Sequence, residues 1–237
     1  MTTWFSNPAI RYVKKKGAIP DYLETIFASY EKYSRIGQED LELCLDRAID
    51  NDGFSCWLCS EIFSFESESY YDSAAAYHWA KESAKNNYAL GYFQVGFFEE
   101  NRVTGKFDDV KVLQNYERAV QEGYGFSALR LAEVYQKGLL GQKKDYSRSL
   151  ELAELAYKLG EITASEYLYQ SYSEREPSSY DLLLRWSEAS SLNGCPVASM
   201  RLSRVYINGE WGVDVNKERA KYYTKLFNMQ MDEVERE

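Results

Sequence analysis

Residues 178–227 read SSYDLLLRWSEASSLNGCPVASMRLSRVYINGEWGVDVNKERAKYYTKLF, and this stretch decides the fold. One amphipathic run stops at Gly194, and a second opens near Pro196 and stops at Gly209. A glycine-marked loop then leads to Asn216, where the first pattern returns. Glycine at the end of an apolar run of helical period is a stop signal, because it adopts the left-handed C-cap conformation without steric cost. The stretch is therefore a helical hairpin followed by the opening of the next.

The same grammar runs upstream in columns. Ser69, Asp108, Asp145, Ser178 and Asn216 are N-cap residues, each standing before the trailing helix of a hairpin. Eleven residues further on stand Ala80, Ala119, Ala156, Ala189 and Phe227, and both columns step by 39, 37, 33 and 38 residues. The leading helices have columns of their own. Ala89, Ser127, Ala164 and Ala198 are followed at +4 by Phe93, Leu131, Leu168 and Leu202, and at +8 by Phe97, Tyr135, Tyr172 and Tyr206. Positions 0, +4 and +8 share one helical face, so a small residue there lets neighbouring backbones approach while the larger ones fill the flanks. Glu100, Gly138, Arg175 and Gly209 mark the helix ends.

Upstream of the columns, residues 1–18 show no period and are expected to form an irregular cap or arm. Helical spacing follows over 20–35 (Leu23, Ile26, Phe27, Tyr30), 39–50 (Leu41, Leu45, Ala48, Ile49), 54–65 and 73–85. The expected fold is all-α: a right-handed α/α superhelix, or solenoid, of about twelve antiparallel helices. Its expected divisions are an N-terminal cap with a degenerate repeat over 1–68, repeats over 69–227, and a fraying, solvated tail over 228–237. Phe227 breaks the alanine column, as suits a terminal repeat.

Ala189, Gly194, Ala198, Leu202, Tyr206, Gly209, Gly212-Val213, Asn216 and Ala220 together resemble the motif of the Sel-one-like repeat (SLR) family, relatives of the tetratricopeptide solenoids. The chain departs from that motif where Gln94, Ala132, Tyr169 and Ser203 replace the glycine after Leu, and where Ser178 and Asn216 replace the capping acid. The resemblance covers roughly 69–227. It implies an α/α superhelix serving as an adaptor or scaffold for other proteins, and it implies no chemistry.

Composition bounds the partners. The 237 residues carry a formal charge of −9, concentrated in residues 41–110, where five basic side chains face thirteen acidic ones. A phosphate backbone would meet an acidic surface, so nucleic acid is disfavoured and a basic partner is favoured. The longest apolar run, ALGYFQVGFF at 89–98, has ten residues, short of the roughly 18 a membrane span needs. Lys14, Lys15 and Lys16 follow the first apolar residues instead of preceding them, unlike a signal peptide, and four cysteines are too few for a disulfide framework in a chain this long. A cytoplasmic protein with no membrane partner is the expectation.

Catalytic, cofactor and metal sites are not expected. His78 is the only histidine and lies between Tyr77 and Trp79 on a helix. Cys56 and Cys59 have redox or zinc spacing, but they fall in an apolar helical stretch with only Cys44, Cys195 and His78 left as further ligands. Residues 50–53 (Asp-Asn-Asp-Gly) lack the outer acids of a calcium loop and read as a turn. The acidic pairs Glu99-Glu100 and Asp108-Asp109 sit beside each other on helices, so their side chains point apart.

The leading helices of such a superhelix line its concave side, and positions +3 and +6 point away from the 0/+4/+8 face. At +3 stand Tyr92, Arg130, Tyr167 and Arg201, and at +6 stand Val95, Glu133, Gln170 and Arg204. Tyr and Arg are enriched at binding hot spots, so these eight residues are the expected partner-binding ladder for a protein or peptide. The expected role is a non-enzymatic interaction module. The alternatives are an immunity-type inhibitor of a basic effector, drawn to the acidic section, and a hydrolase resembling enzymatic solenoid relatives.

Overall fold

The computed structural model describes residues 7–16, 19, 24, 27–28, 38–50, 52–64, 71–103, 105 and 108–234. Among them are twelve helices and no strand: α1 Pro8–Lys16, α2 Gln38–Ile49, α3 Gly53–Phe63, α4 Ser73–Lys85, α5 Ala89–Glu100 and α6 Asp109–Gln121 come first. Then follow α7 Gly125–Lys137, α8 Tyr146–Lys158, α9 Ala164–Arg175, α10 Tyr180–Leu192, α11 Pro196–Asn208 and α12 Lys217–Val234. The chain is an all-α helical-repeat solenoid in which neighbouring helices pack on one another from α2 through α7 and from α9 through α12. It divides into two compact units, Pro8–Ser149 and Leu150–Glu237. Most of the helix expected over 20–35 lies outside the described residues.

The N-terminal unit is built around α3, which is apolar on nearly every side. Trp57, Leu58, Cys59 and Ile62 are fully buried there, together with Phe27, Cys44 and Val13. Residues 1–18 are not wholly irregular: Pro8–Lys16 is helical, and Ile10 and Val13 anchor it in the same core. Two apolar residues three apart are too short a pattern to stand out from sequence, but they suffice to dock one face.

The turn into each leading helix is one repeated device. A left-handed residue follows the trailing helix, namely Asn87 (φ 56°), Gly123 (φ 91°), Gly160 (φ 94°) or Gly194 (φ 95°). The next amide donates back to the carbonyl of Ser83, Ala119, Ala156 or Ser190, at 3.2, 2.9, 2.9 and 3.1 Å. This pairing satisfies carbonyls that a helix end would otherwise orphan. It also fixes the true register.

The buried small column of the trailing helices is thus Ser83, Ala119, Ala156 and Ser190. Ala80 lies three residues and Ala189 one residue out of that column. The caps shift accordingly. Asp72, not Ser69, caps α4, accepting from the Ala74 and Ala75 amides at 2.9 and 3.0 Å, and Ser69 lies outside the described residues. Asp108, Asp145 and Asn216 cap as expected. Ser179, not Ser178, precedes α10, and it makes no side-chain cap bond.

The matching position in the leading helices is Gly91, Ser127, Ala164 and Ala198, so Ala89 is two residues out of register. The tail from 228 continues α12 to Val234 instead of fraying at once. Gln230 is buried: its amide donates to the Ser191 carbonyl at 2.8 Å and accepts from the Ser199 hydroxyl at 2.7 Å.

Candidate functional site

In the N-terminal unit the register correction changes which residues face outward from α5. Counted from Gly91, position +4 is Val95, which is 6% exposed and packs with Ala76, Ala80, Ala84 and Phe98. Val95 therefore belongs to the core, not to an outward ladder. Gln94, at +3, is buried as well and donates to Glu61, whereas Phe97, at +6, is 47% exposed and is the residue of this helix that the corrected count turns outward. Tyr92 is half-buried, and its phenol donates to Asn87 Oδ1 at 2.9 Å.

Around Phe97 the aromatic side chains are continuous. Phe93 lies 6.2 Å from Phe97, 5.2 Å from Tyr124, 5.5 Å from Tyr116 and 5.5 Å from Phe126, measured between ring centroids. Arg130 and Glu133 of α7 are half-buried beside this cluster. Arg130 donates to Glu100 and, at 2.6 Å, to Glu133, while the Tyr116 phenol donates to Glu100 at 2.6 Å. Burial works against the Arg130 charge, but the bonds and charges of Glu100 and Glu133 outweigh it and hold the guanidinium above its usual range. Burial and the bond to Glu100 likewise push the Tyr116 phenol up. These polar groups hold one another in place, Tyr116 and Tyr124 are buried, and Phe97 is the exposed edge of the cluster.

The C-terminal unit has a parallel arrangement on α9 and α11. Arg201 donates to Glu166 at 2.5 and 3.2 Å and to Ser187 Oγ at 3.2 Å, while its guanidinium carbon sits 3.4 Å from the centre of the Tyr169 ring. Arg201 is a strut between helices. Tyr167 is half-buried, whereas Gln170 and Arg204 are exposed, and Arg204 reaches Glu210 at 3.5 Å. Tyr169 also lies 6.1 Å from Trp211.

Trp211 is held left-handed at φ 57°, as its counterpart Leu140 is at φ 50°. Leu140 is buried, but Trp211 stays half-exposed and borders an open depression of about 500 Å³ with Ser178, Ser179, Tyr180, Asp181, Leu182 and Gly212. The depression lies where the connection from α9 to α10 is short, running only from Glu176 to Ser179.

The other chemical candidates are engaged structurally. His78 is exposed and rests edge-on against Trp79 at 5.1 Å. The four cysteines are free and buried; burial above all pushes the Cys56 thiol up to about 11, and a hydrogen bond with Cys44 together with burial raises Cys59 further. A thiol so raised is a poor nucleophile at neutral pH. Asp52 of the 50–53 turn caps α3 by accepting from the Ser55 amide at 2.9 Å, and Tyr77 donates to Glu99 at 2.8 Å. Among the described residues there is no group of three or more His, Cys, Asp or Glu able to hold a metal, and no helix is long and apolar enough to cross a membrane.

Column counting put Phe93 and Phe97 on the packing face and left Tyr169 and Trp211 out of the ladder. Asn87 carried the missing signal: aligning it with Gly123 as the left-handed stop moves the zero position to Gly91 and exposes Phe97.

No protein-family model and no curated protein matches the chain. Solved structures do. A Sel1 repeat protein from Oxalobacter formigenes superposes with a TM-score of 0.70 at 18% identity, over 94% of this chain and 88% of that one. The chain has the SLR fold. A second SLR-fold structure, the protective antigen c5321 of uropathogenic Escherichia coli, gives a TM-score of 0.65 at 17% identity over 93% of this chain, which spans only 44% of that one. The immunity protein PA5088 from Pseudomonas aeruginosa also superposes, with a TM-score of 0.59 at 12% identity over 92% of this chain and 86% of that one.

Proposed function

We propose that this SLR-fold chain is a non-enzymatic protein-interaction module, holding a peptide or a loop of a partner protein on the outward faces of its leading helices. The observation that carries this reading is the exposed Phe97 seated on a continuous aromatic cluster whose polar neighbours are already clamped. Pre-organised aromatic surface loses little conformational entropy on binding and dominates interface energetics. Arg130, Glu133 and Arg201 serve this reading as braces, with Tyr92, Tyr167, Gln170 and Arg204 at the edges of the two surfaces. The reading includes a cytoplasmic setting, which the free buried thiols favour.

The reading is tested by affinity capture with the wild type and with Phe97→Ala, quantifying retained proteins by mass spectrometry. Loss of a specific retained protein is expected. Equal retention by Phe97→Ala contradicts the surface.

A second reading, an immunity-type inhibitor, is favoured by the likeness to PA5088 and by the acidic section 41–110. It requires a basic effector and an association rate that falls as salt rises; a salt-independent rate contradicts it. A hydrolase is disfavoured, since His78 is exposed on a helix and Glu99 and Glu100 are bonded to tyrosines and to Arg130.

A further inference from the structure

The loops over 138–145 and 209–216 have equal length and one backbone pattern, left-handed at Gly138, Leu140 and Gly141 in the first and at Gly209, Trp211 and Gly212 in the second. Large L side chains seldom take that conformation. Leu140 takes it and is buried, so its apolar surface is covered. Trp211 takes it and stays half-exposed, with the Tyr169 ring at 6.1 Å and the open depression of about 500 Å³ beside it. That volume lies within the range of ligand sites.

The lining restricts what can sit there. Trp211 and Tyr180 offer aromatic surface, Leu182 offers aliphatic surface, and Ser178 and Ser179 offer hydroxyls. Among the described residues that line it, Asp181 alone is charged, and it is exposed and in no ion pair or hydrogen bond. Arg185, one turn further along α10, lies over the Trp186 ring at 4.7 Å instead. The segments that border the depression, 174–181 and 209–214, carry five acidic side chains and one basic. An anion is repelled there, and an uncharged apolar group would cover the Asp181 carboxylate without giving it a partner. A flat cation meets both demands, because it stacks on an indole while its N–H fork reaches a carboxylate. The same unit already holds one guanidinium in this way: Arg201 lies 3.4 Å from the centre of the Tyr169 ring and donates to Glu166.

We propose that the depression beside Trp211 is a seat for the side chain of an arginine in a peptide segment of a partner protein. Trp211 stacks on the guanidinium and Asp181 accepts its N–H groups. This inference rests on the reading of the chain as a protein-interaction module, and it names one group that the module recognises. The seat lies within the C-terminal unit, whereas Phe97 belongs to the N-terminal one.

The test is a titration of the full chain with an acetylated and amidated Gly-Gly-Arg-Gly-Gly peptide, followed by NMR at the indole N–H resonance that Trp211→Phe removes. A saturable shift of that resonance is expected. The same peptide carrying citrulline, which is isosteric but uncharged, or lysine in place of arginine should bind about fivefold more weakly or worse, and so should free L-arginine, whose own carboxylate meets an acidic surface. Asp181→Asn should weaken the arginine peptide by about fivefold and Trp211→Ala by about tenfold, with circular dichroism confirming that each variant is folded. Phe97→Ala should bind the peptide as the wild type does, so a failed seat and a failed Phe97 surface are told apart. No saturable shift, equal affinity for the citrulline, lysine or free-arginine probe, undiminished binding by Asp181→Asn or Trp211→Ala, or lost binding by Phe97→Ala overturns the proposal.

Discussion

At Gly91 the backbone of α5 comes so close to α4 that an added Cβ would stand 2.5 Å from the Ala84 amide nitrogen. Backbone cannot yield as a flexible side chain does, so Gly91→Ala is expected to destabilise the fold by ~1–3 kcal/mol. Denaturant unfolding checks this, and an unchanged midpoint contradicts the close approach. Serine stands in for alanine at this contact because its hydroxyl finds a buried acceptor. Ser83 donates to the Gly53 carbonyl at 2.7 Å, Ser127 to the Tyr116 carbonyl at 2.9 Å and Ser190 to Glu166 at 3.0 Å. That substitution is why the first and last aligned hairpins slipped in register: counting alanines finds Ala80 and Ala189, whereas packing uses Ser83 and Ser190. Leu131, Leu168 and Leu202 were legible as core since no polar stand-in exists for them. Val95 was not, because its place depends on where the count begins.

The tyrosines give the residue scale a pH dependence. Burial first, then the bond to Glu99, pushes Tyr77 up to about 12; burial and Glu122 do the same for Tyr12, and burial with Glu188 for Tyr223. A phenol in the unfolded chain ionises near pH 10. The folded state therefore holds more protons between about 10 and 12, so the stability these groups contribute is intact below pH ~10 and is lost as pH rises toward 12. Denaturation midpoints should hold steady up to pH ~10 and then fall. Midpoints that stay flat through pH ~12 contradict the assignment.

Among the elements, helix starts differ in how they are held. Asp72 and Asp108 each accept two backbone amides, whereas Ser179 at the start of α10 accepts none. Asp72→Ala and Asp108→Ala are each expected to cost ~1 kcal/mol, and Ser179→Ala much less. Equal costs at all three would mean that the caps do not set the helix starts. The helices themselves were legible because α6, α7, α8, α10, α11 and α12 keep a 3.6-residue apolar period, while α5 and α9, which lack a clear apolar stripe, were placed by their repeat columns and punctuation. α1 was hidden by its brevity. The depression beside Trp211 was hidden for a different reason: it arises from a connection shortened between α9 and α10, and spacing shows that a loop is short without showing what its absence uncovers.

For the whole molecule, each unit is built by the same rule, in which a small side chain of a trailing helix is buried at the turn into the next leading helix. Ala119 follows it in the N-terminal unit and Ala156 in the C-terminal unit, both fully buried. A bulky side chain at either place has nowhere to go without parting two helices, which costs ~1–3 kcal/mol or more. Ala189, one residue outside the column and half-buried, should accept the same change more readily. The most direct test is the thermal unfolding midpoint of Ala156→Leu beside the wild type: a clear drop is predicted, and an unaltered midpoint would contradict the repeat packing on which the account stands.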